Sequence, residues 1–269
     1  MIKDYFVIDA HCHVYPDKIA ARAVMGTGNF YHLDNKFDGT IGTLLKEGEK
    51  AGVDHFIVQS VATSPSQVKS INEFIAETVK NSDGKMTGLG TMHPESADIK
   101  GDIEHLVELG LHGVKLHPDI QAFKIDDYRC LKIYELCEKF NLPILMHTGD
   151  HRYDYSNPNR MLPIMKIYEN LIVVGAHLGG WSVWDDAEAK LAGIPNFYVD
   201  TSSSFKFMSK EKAKEIIDHF GVSNVLFATD YPMWDITDEI NFLNDLNMSA
   251  NDYRKIYFEN ACKIYGIKL

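Results

Sequence analysis

Five stretches of this 269-residue chain end in side chains able to do chemistry. His11 and His13 stand two residues apart, and Lys115 with His117, His147, His177 and Asp230 each close an apolar run. Imidazole nitrogen and carboxylate oxygen are the groups a divalent cation takes from a protein, with an open position left for water or substrate. Buried histidines and an aspartate without a charge partner are costly, and a divalent cation removes that cost. Side chains alternate along a strand, so His11 and His13 share one face while Cys12 points away. Asp9 falls on that same face, where a carboxylate can fix an imidazole tautomer from below. One His-x-His pair is a weak signal, and so is one histidine or aspartate at a strand end. The recurrence of such residues at the same end of several strands is not a packing pattern.

These groups require elements that bring distant residues to one rim. Candidate strands run over 5–11, 55–59, 86–91, 113–117, 143–147, 172–177, 197–200 and 225–230, about thirty residues apart after a longer first interval. Helical spacing lies between them, for example over 71–79, at Ile103, Leu106, Val107 and Leu109, and at Ala213, Ile216, Ile217 and Phe220. Strands alternating with helices imply a parallel α/β sheet, closed into a barrel or left open. An open doubly wound sheet calls for a glycine-rich loop after its first strand. Here that strand ends in His-Cys-His, which favours a single-domain (β/α)8 TIM barrel over residues 1–269.

The first interval, residues 14–54, is read as a long βα loop with Gly26, Gly28, Phe30, Tyr31 and Gly39, followed by a first helix near Leu44 to Ala51. It is either a lid over the C-terminal face, where barrels carry their sites, or a tolerated surface insertion. Tyr15 and the run Tyr231-Pro232-Met233-Trp234 fall on that rim, suited to a planar substrate or to loop packing. His151-Arg152-Tyr153-Asp154-Tyr155 follows the His147 strand and reads as a specificity loop. Gly179-Gly180 permits a close backbone approach beside His177. His32, His55, His93, His105, His112 and His219 are read as structural.

Composition narrows the function. With 27 basic and 38 acidic residues the net charge is −11, which argues against a nucleic-acid partner. No apolar run reaches the length that spans a bilayer, and Met1–Tyr5 lacks the head of a signal peptide, so a cytoplasmic protein without a membrane partner is expected. Four cysteines without a C-x-x-C pair do not form a disulfide framework, and Cys130 and Cys137 read as core.

Together Asp9-Ala10-His11-Cys12-His13, Gly113-Val114-Lys115-Leu116-His117-Pro118, Met146-His147-Thr148-Gly149, Ala176-His177-Leu178-Gly179-Gly180 and Thr229-Asp230-Tyr231-Pro232 resemble the amidohydrolase superfamily. More narrowly, they are similar to its amidohydrolase-related branch (family 2) of metal-dependent TIM-barrel hydrolases and decarboxylases. The resemblance implies a divalent metal, zinc by expectation, one ion favoured over two. His11, His13, His147 and Asp230 would be its ligands. His177 would face the substrate, or bind a second ion, and Lys115 stands where binuclear relatives carry a carbamylated bridging lysine.

The leading expectation is a hydrolase of a small lactone, ester or amide. Asp230 would take a proton from metal-activated water and pass it on, with His177 polarising the carbonyl or acting as acid–base partner. Lys115 or Arg152 would receive a substrate carboxylate, and Tyr15 and Trp234 would flank the substrate. The alternative is a decarboxylase of an aromatic or unsaturated carboxylic acid. Such enzymes tend to be longer, and that tilts the expectation to hydrolysis. A metal-binding protein without catalysis is a third reading, against which the presence of both Asp230 and His177 counts. The partner is a small molecule, with a homo-oligomer left open.

Overall fold

The computed structural model describes residues 5–268. Its order is β1 (Ile8–His13), α1 (Asp17–Tyr31), α2 (Ile41–Ala51), β2 (His55–Gln59), α3 (Val68–Lys80), β3 (Met86–Gly88), β4 (Gly90–Thr91), α4 (Ile99–Glu108), β5 (Val114–Leu116), α5 (Pro118–Gln121), α6 (Leu131–Lys139), β6 (Ile144–Met146), α7 (Met161–Ile167), β7 (Val173–Gly175), α8 (Trp184–Leu191), β8 (Phe197–Asp200), α9 (Lys210–Phe220), β9 (Val225–Leu226), α10 (Ile236–Asn244), α11 (Ala250–Arg254) and α12 (Asn260–Tyr265). Neighbouring strands pair in parallel as β1-β2-β3 and β4-β5-β6-β7-β8-β9. β3 and β4 are two pieces of one barrel strand: the amide of Leu89 donates to Val58 O, and that of Gly90 to Gly113 O. The ring closes where Ala10 N donates to Phe227 O (2.9 Å) and His13 N to Tyr231 O (2.7 Å). The molecule is therefore a (β/α)8 TIM barrel.

The strands read as apolar runs because both faces are buried. One set of side chains fills the barrel: Ile8, Ala10, Ile57, Leu89, Leu145, Val174, Ala176, Tyr198, Leu226 and Ala228, with Ala261, Ile264 and Tyr265 of α12 packed on the same cluster. The other set, with Cys12, Val58, Val114, Leu116, Ile144, Val173 and Val199 among it, packs outward under the helices. Cys130 and Cys137 lie in this outer core, and all four cysteines are free thiols. On β5 the inward position between Val114 and Leu116 is Lys115, a fully buried charge in an otherwise apolar layer.

Strict alternation fails at one place that matters. Between Asp9 and Cys12 the register with β2 shifts, three steps on β1 facing two on β2. A bulge of one extra residue flips the parity of the strand and re-aims its side chains. Ile8 and Ala10 can then fill the barrel while His11 and His13 still turn inward at the mouth.

Segment 14–54 differs from the expected loop. Residues 17–31 form α1, a 15-residue helix with Asp17 in its first turn, and α2 starts at Ile41, earlier than Leu44. The glycines do not break it. Gly28 is needed because a Cβ there would stand 2.8 Å from Leu33 O, and His32 caps the end in a left-handed turn (φ 55°). Thr40 caps α2 by accepting from Thr43 N. No helix among the described residues is long and apolar enough to cross a membrane.

Candidate active site at the barrel mouth

Five imidazoles form an arc. Ring centroids step from His13 to His11 (5.1 Å), His11 to His177 (5.5 Å), His177 to His147 (4.8 Å) and His147 to His117 (3.9 Å, stacked). Asp230 closes the near end, its Oδ1 3.4 Å from His11 Nε2 and 3.6 Å from His13 Nε2. His11, His13 and Asp230 offer ligand atoms within 4.8 Å of one another. Lys115 Nζ reaches the same point, 3.0 Å from His11 Nε2. The site thus brings together His11, His13, Lys115, His147, His177 and Asp230.

The hydrogen-bond partners dictate the tautomers. His11 Nδ1–H donates to Asp200 Oδ2 (2.9 Å), so its Nε2 presents a lone pair inward. His177 Nδ1–H donates to the Ser202 carbonyl (3.0 Å), so its Nε2 accepts from His147 Nδ1–H (3.0 Å). His147 Nε2 is left with a lone pair, buried, without a hydrogen-bond partner and 3.3 Å from the Asp119 carboxylate. The lone pairs of His11 and His13 with the Asp230 carboxylate are a donor set for a divalent transition ion, and the residues fit one, whereas the His147 lone pair belongs to a separate group beside Asp119. His117 does not join them: its Nδ1 accepts from Ile120 N, which leaves Nε2–H to donate to the Tyr31 hydroxyl (2.7 Å).

Burial governs the electrostatics. Desolvation pushes His11, His13, His117 and His177 well below the usual imidazole range, so all four are neutral near pH 7. The same cause raises Asp230 to about 6 and lowers Lys115 to about 8. Backbone strain concentrates here too: His177, Ser203 and Asp230 adopt positive φ (61°, 47° and 60°) without being glycine. Asp230 lies beyond the end of β9, which stops at Leu226, and not on it. Gly149 and Gly180 make the expected close approach, since a Cβ on Gly149 would stand 2.5 Å from the Gly180 carbonyl carbon.

Several sequence expectations are relocated. Asp9 does not touch a histidine ring. With the bulge intervening, its carboxylate takes the amide and hydroxyl of Thr229 instead, one residue before Asp230. Arg152 is committed: it forms a paired contact with Asp150 (2.9 and 2.7 Å), donates to Phe30 O and lies within 5.1–5.7 Å of the rings of Phe30, Tyr31, Tyr153 and Trp181. It clasps α1 to the mouth. Tyr15 packs against Gly39. Trp234 directs its indole N–H to Ser203 Oγ. None of Tyr15, Lys115, Arg152 and Trp234 lines the central pocket, which Tyr31, Leu33, His147, His177, Trp181, Ser203, Asp230 and Met233 line around about 10 Å³, the space of one water.

Sequence reasoning missed Asp200, Ser202 and Ser203. Asp200 and Ser202 orient His11 and His177 from behind, and a polar Asp200-Thr-Ser-Ser-Ser204 run directly after an apolar strand was the available signal. All three tryptophans gather around one side chain. Trp181, Trp184 and Trp234 lie 6.0, 6.1 and 5.7 Å from the half-exposed Phe207 ring.

Comparison with known proteins agrees with this fold. The family model described as Amidohydrolase matches residues 8–267. A 2-amino-3-carboxymuconate-6-semialdehyde decarboxylase of Dictyostelium discoideum is 23% identical over 202 residues, covering 60% of this chain and 55% of its own, so the chain spans about half the length of that curated relative. A dihydroxybenzoic acid decarboxylase from Polaromonas, solved with bound manganese and the inhibitor 2-nitroresorcinol, matches at a TM-score of 0.74 and 16% identity over 97% of both chains. A candidate 2-pyrone-4,6-dicarboxylic acid hydrolase from Pseudomonas putida matches at 0.70 and 16% over 98% of both. The length argument for hydrolysis loses its ground, since a decarboxylase chain is matched along 97% of its length.

Proposed function

The chain belongs to the amidohydrolase family, and from that premise we propose that it is a metal-dependent, non-oxidative decarboxylase of an aromatic or unsaturated carboxylic acid. The observation that carries this reading is Lys115. Its ammonium is fully buried, faces the His11–His13–Asp230 group and forms no ion pair with a carboxylate among the described residues. Burying an unpaired cation is expensive, and a substrate carboxylate completes it, whereas a lactone, ester or amide that bears no carboxylate does not. The decarboxylase names of the Dictyostelium relative and the Polaromonas structure support the same choice.

His11, His13 and Asp230 would hold one divalent ion, zinc or manganese by the donor set. When bound, the ion supplies positive charge for the carboxylate and adjoining oxygens of the substrate. Lys115 binds and orients the carboxylate. Asp230 would deliver a proton to the ring or alkene carbon. The carbon–carbon bond then breaks, its electron pair returns to the unsaturated system, carbon dioxide leaves, and Asp230 regains a proton from solvent. His177, neutral and fixed by Ser202, donates no charge but aligns the reacting face.

The test is a panel of aromatic and unsaturated acids, lactones, esters and amides, assayed after chelation and after metal is restored, with metal content measured in parallel. Carbon dioxide release that disappears on chelation is the expected result. Metal-dependent opening of a lactone without carbon dioxide overturns the proposal in favour of hydrolysis.

A further inference from the structure

We propose that Ser203 and Trp234 form a positioning relay that decides which oxygen of Asp230 faces the metal group. The inference rests on the reading that His11, His13 and Asp230 hold a divalent ion. Trp234 Nε1–H can only donate, and it donates to Ser203 Oγ at 2.7 Å. That occupies the hydroxyl on its acceptor side. The single Ser203 proton is thereby directed to Asp230 Oδ2, 2.5 Å away. Oδ1 is left free and stands 3.4 and 3.6 Å from the Nε2 atoms of His11 and His13.

The relay has a reason to exist. Asp230 lies beyond the end of β9 at φ 60°, between Thr229, held by Asp9, and Tyr231, bridged to β1, so its backbone is pinned and only the torsions of its side chain remain to be set. A carboxylate there rotates about its terminal bond unless an outside donor fixes it. Ser203 is held in turn: it is buried, lies at φ 47° after β8, and its neighbour Ser202 is anchored to Asp200 and His177. Two consecutive hydroxyls thus serve two carboxylates, Ser202 on the Asp200 side and Ser203 on the Asp230 side. Trp234 is in this reading a positioning residue and not a wall for the substrate.

The experiment uses the full-length protein, stripped of metal and titrated with Co²⁺ alone, read by affinity and by the visible absorption of the bound ion. Ser203→Gly removes the hydroxyl while accepting the left-handed backbone, and Trp234→Phe removes only the indole donor. Ser203→Gly is expected to weaken Co²⁺ on the order of tenfold to a hundredfold and to alter its spectrum. Trp234→Phe is expected to weaken it about twofold to tenfold. In the double variant Trp234→Phe adds nothing further, because the indole acts only through Ser203. Wild-type affinity and spectrum in Ser203→Gly, or full additivity in the double variant, overturns the relay. Failure of the wild-type protein to bind Co²⁺ overturns instead the metal reading beneath it, and the relay with it.

Discussion

The two ends of this barrel are built from the same strands and obey opposite rules. Toward the floor, Ile8, Ile57, Leu145, Val174 and Leu226 fill the interior with α12 packed against them, and the one polar pair beside them, His55 and Thr87, is satisfied by its own hydrogen bond (2.8 Å). At the mouth the inward positions are His11, His13, Lys115 and His147, all strongly desolvated and each held by a named partner. The floor gains from burial, at roughly 25 cal/mol per Å² of apolar surface. The mouth is burdened by it, and the burden appears as depressed imidazoles, a weakened ammonium and an aspartate raised to about 6. What separates the two is one extra residue in β1 and the one charge on β5.

The sharpest way to break the contrast is His177→Ala. Turnover should fall on the order of 10²-fold through lost alignment while metal content, measured by elemental analysis, is retained; a halved content would mean two ions in place of one. Next is Leu145→Ala at the floor, which should reduce unfolding free energy by about 2–5 kcal/mol in a denaturant titration without changing Co²⁺ affinity. Altered affinity would show that floor and mouth are one cooperative unit.

Lys115→Met reverses the sign. An amine titrating near 8 in the folded protein and near 10.5 in the unfolded chain binds fewer protons when folded between those values, so stability rises across that interval. The burial penalty is complete below about pH 8. The metal-free variant should therefore be more stable than wild type by about 1–3 kcal/mol at pH 7, with the advantage shrinking towards pH 10.5, while decarboxylation is lost. Equal stability at both pH values would refute the assignment of the penalty to Lys115. The smallest effect belongs to Tyr31→Phe, which removes the hydroxyl held by His117 and should cost about 1 kcal/mol, seen as faster proteolysis within residues 17–40. Unchanged cleavage there would mean that the Arg152 clasp alone secures α1.

Much of this was legible in the sequence because strand periodicity and residue chemistry are local signals. The eight-strand barrel follows from alternating apolar runs, and the strand-end histidines and Asp230 arrive at one rim as their positions require. What stayed hidden is set by long-range partners. Asp200 reads as an ordinary strand residue until the fold brings it, across 189 positions, to His11 Nδ1. The β1 bulge leaves no composition signature, so Asp9 was placed on the wrong side of its own strand. Arg152 looked like a free cation because Asp150, two residues away, reads in the sequence as an unrelated loop acid. Glycines at 26 and 28 concealed α1, since the close approach to Leu33 that requires one of them exists only in three dimensions.

The gathering of Trp181, Trp184 and Trp234 around Phe207 has a practical corollary. Every indole of the chain sits at the same end of the barrel, so tryptophan emission, excited selectively over the tyrosines, reports on the rim and is silent about the floor. Ligand entry can be followed without a label, and an unfolding curve read by fluorescence should precede one read by far-ultraviolet dichroism whenever the rim loosens first.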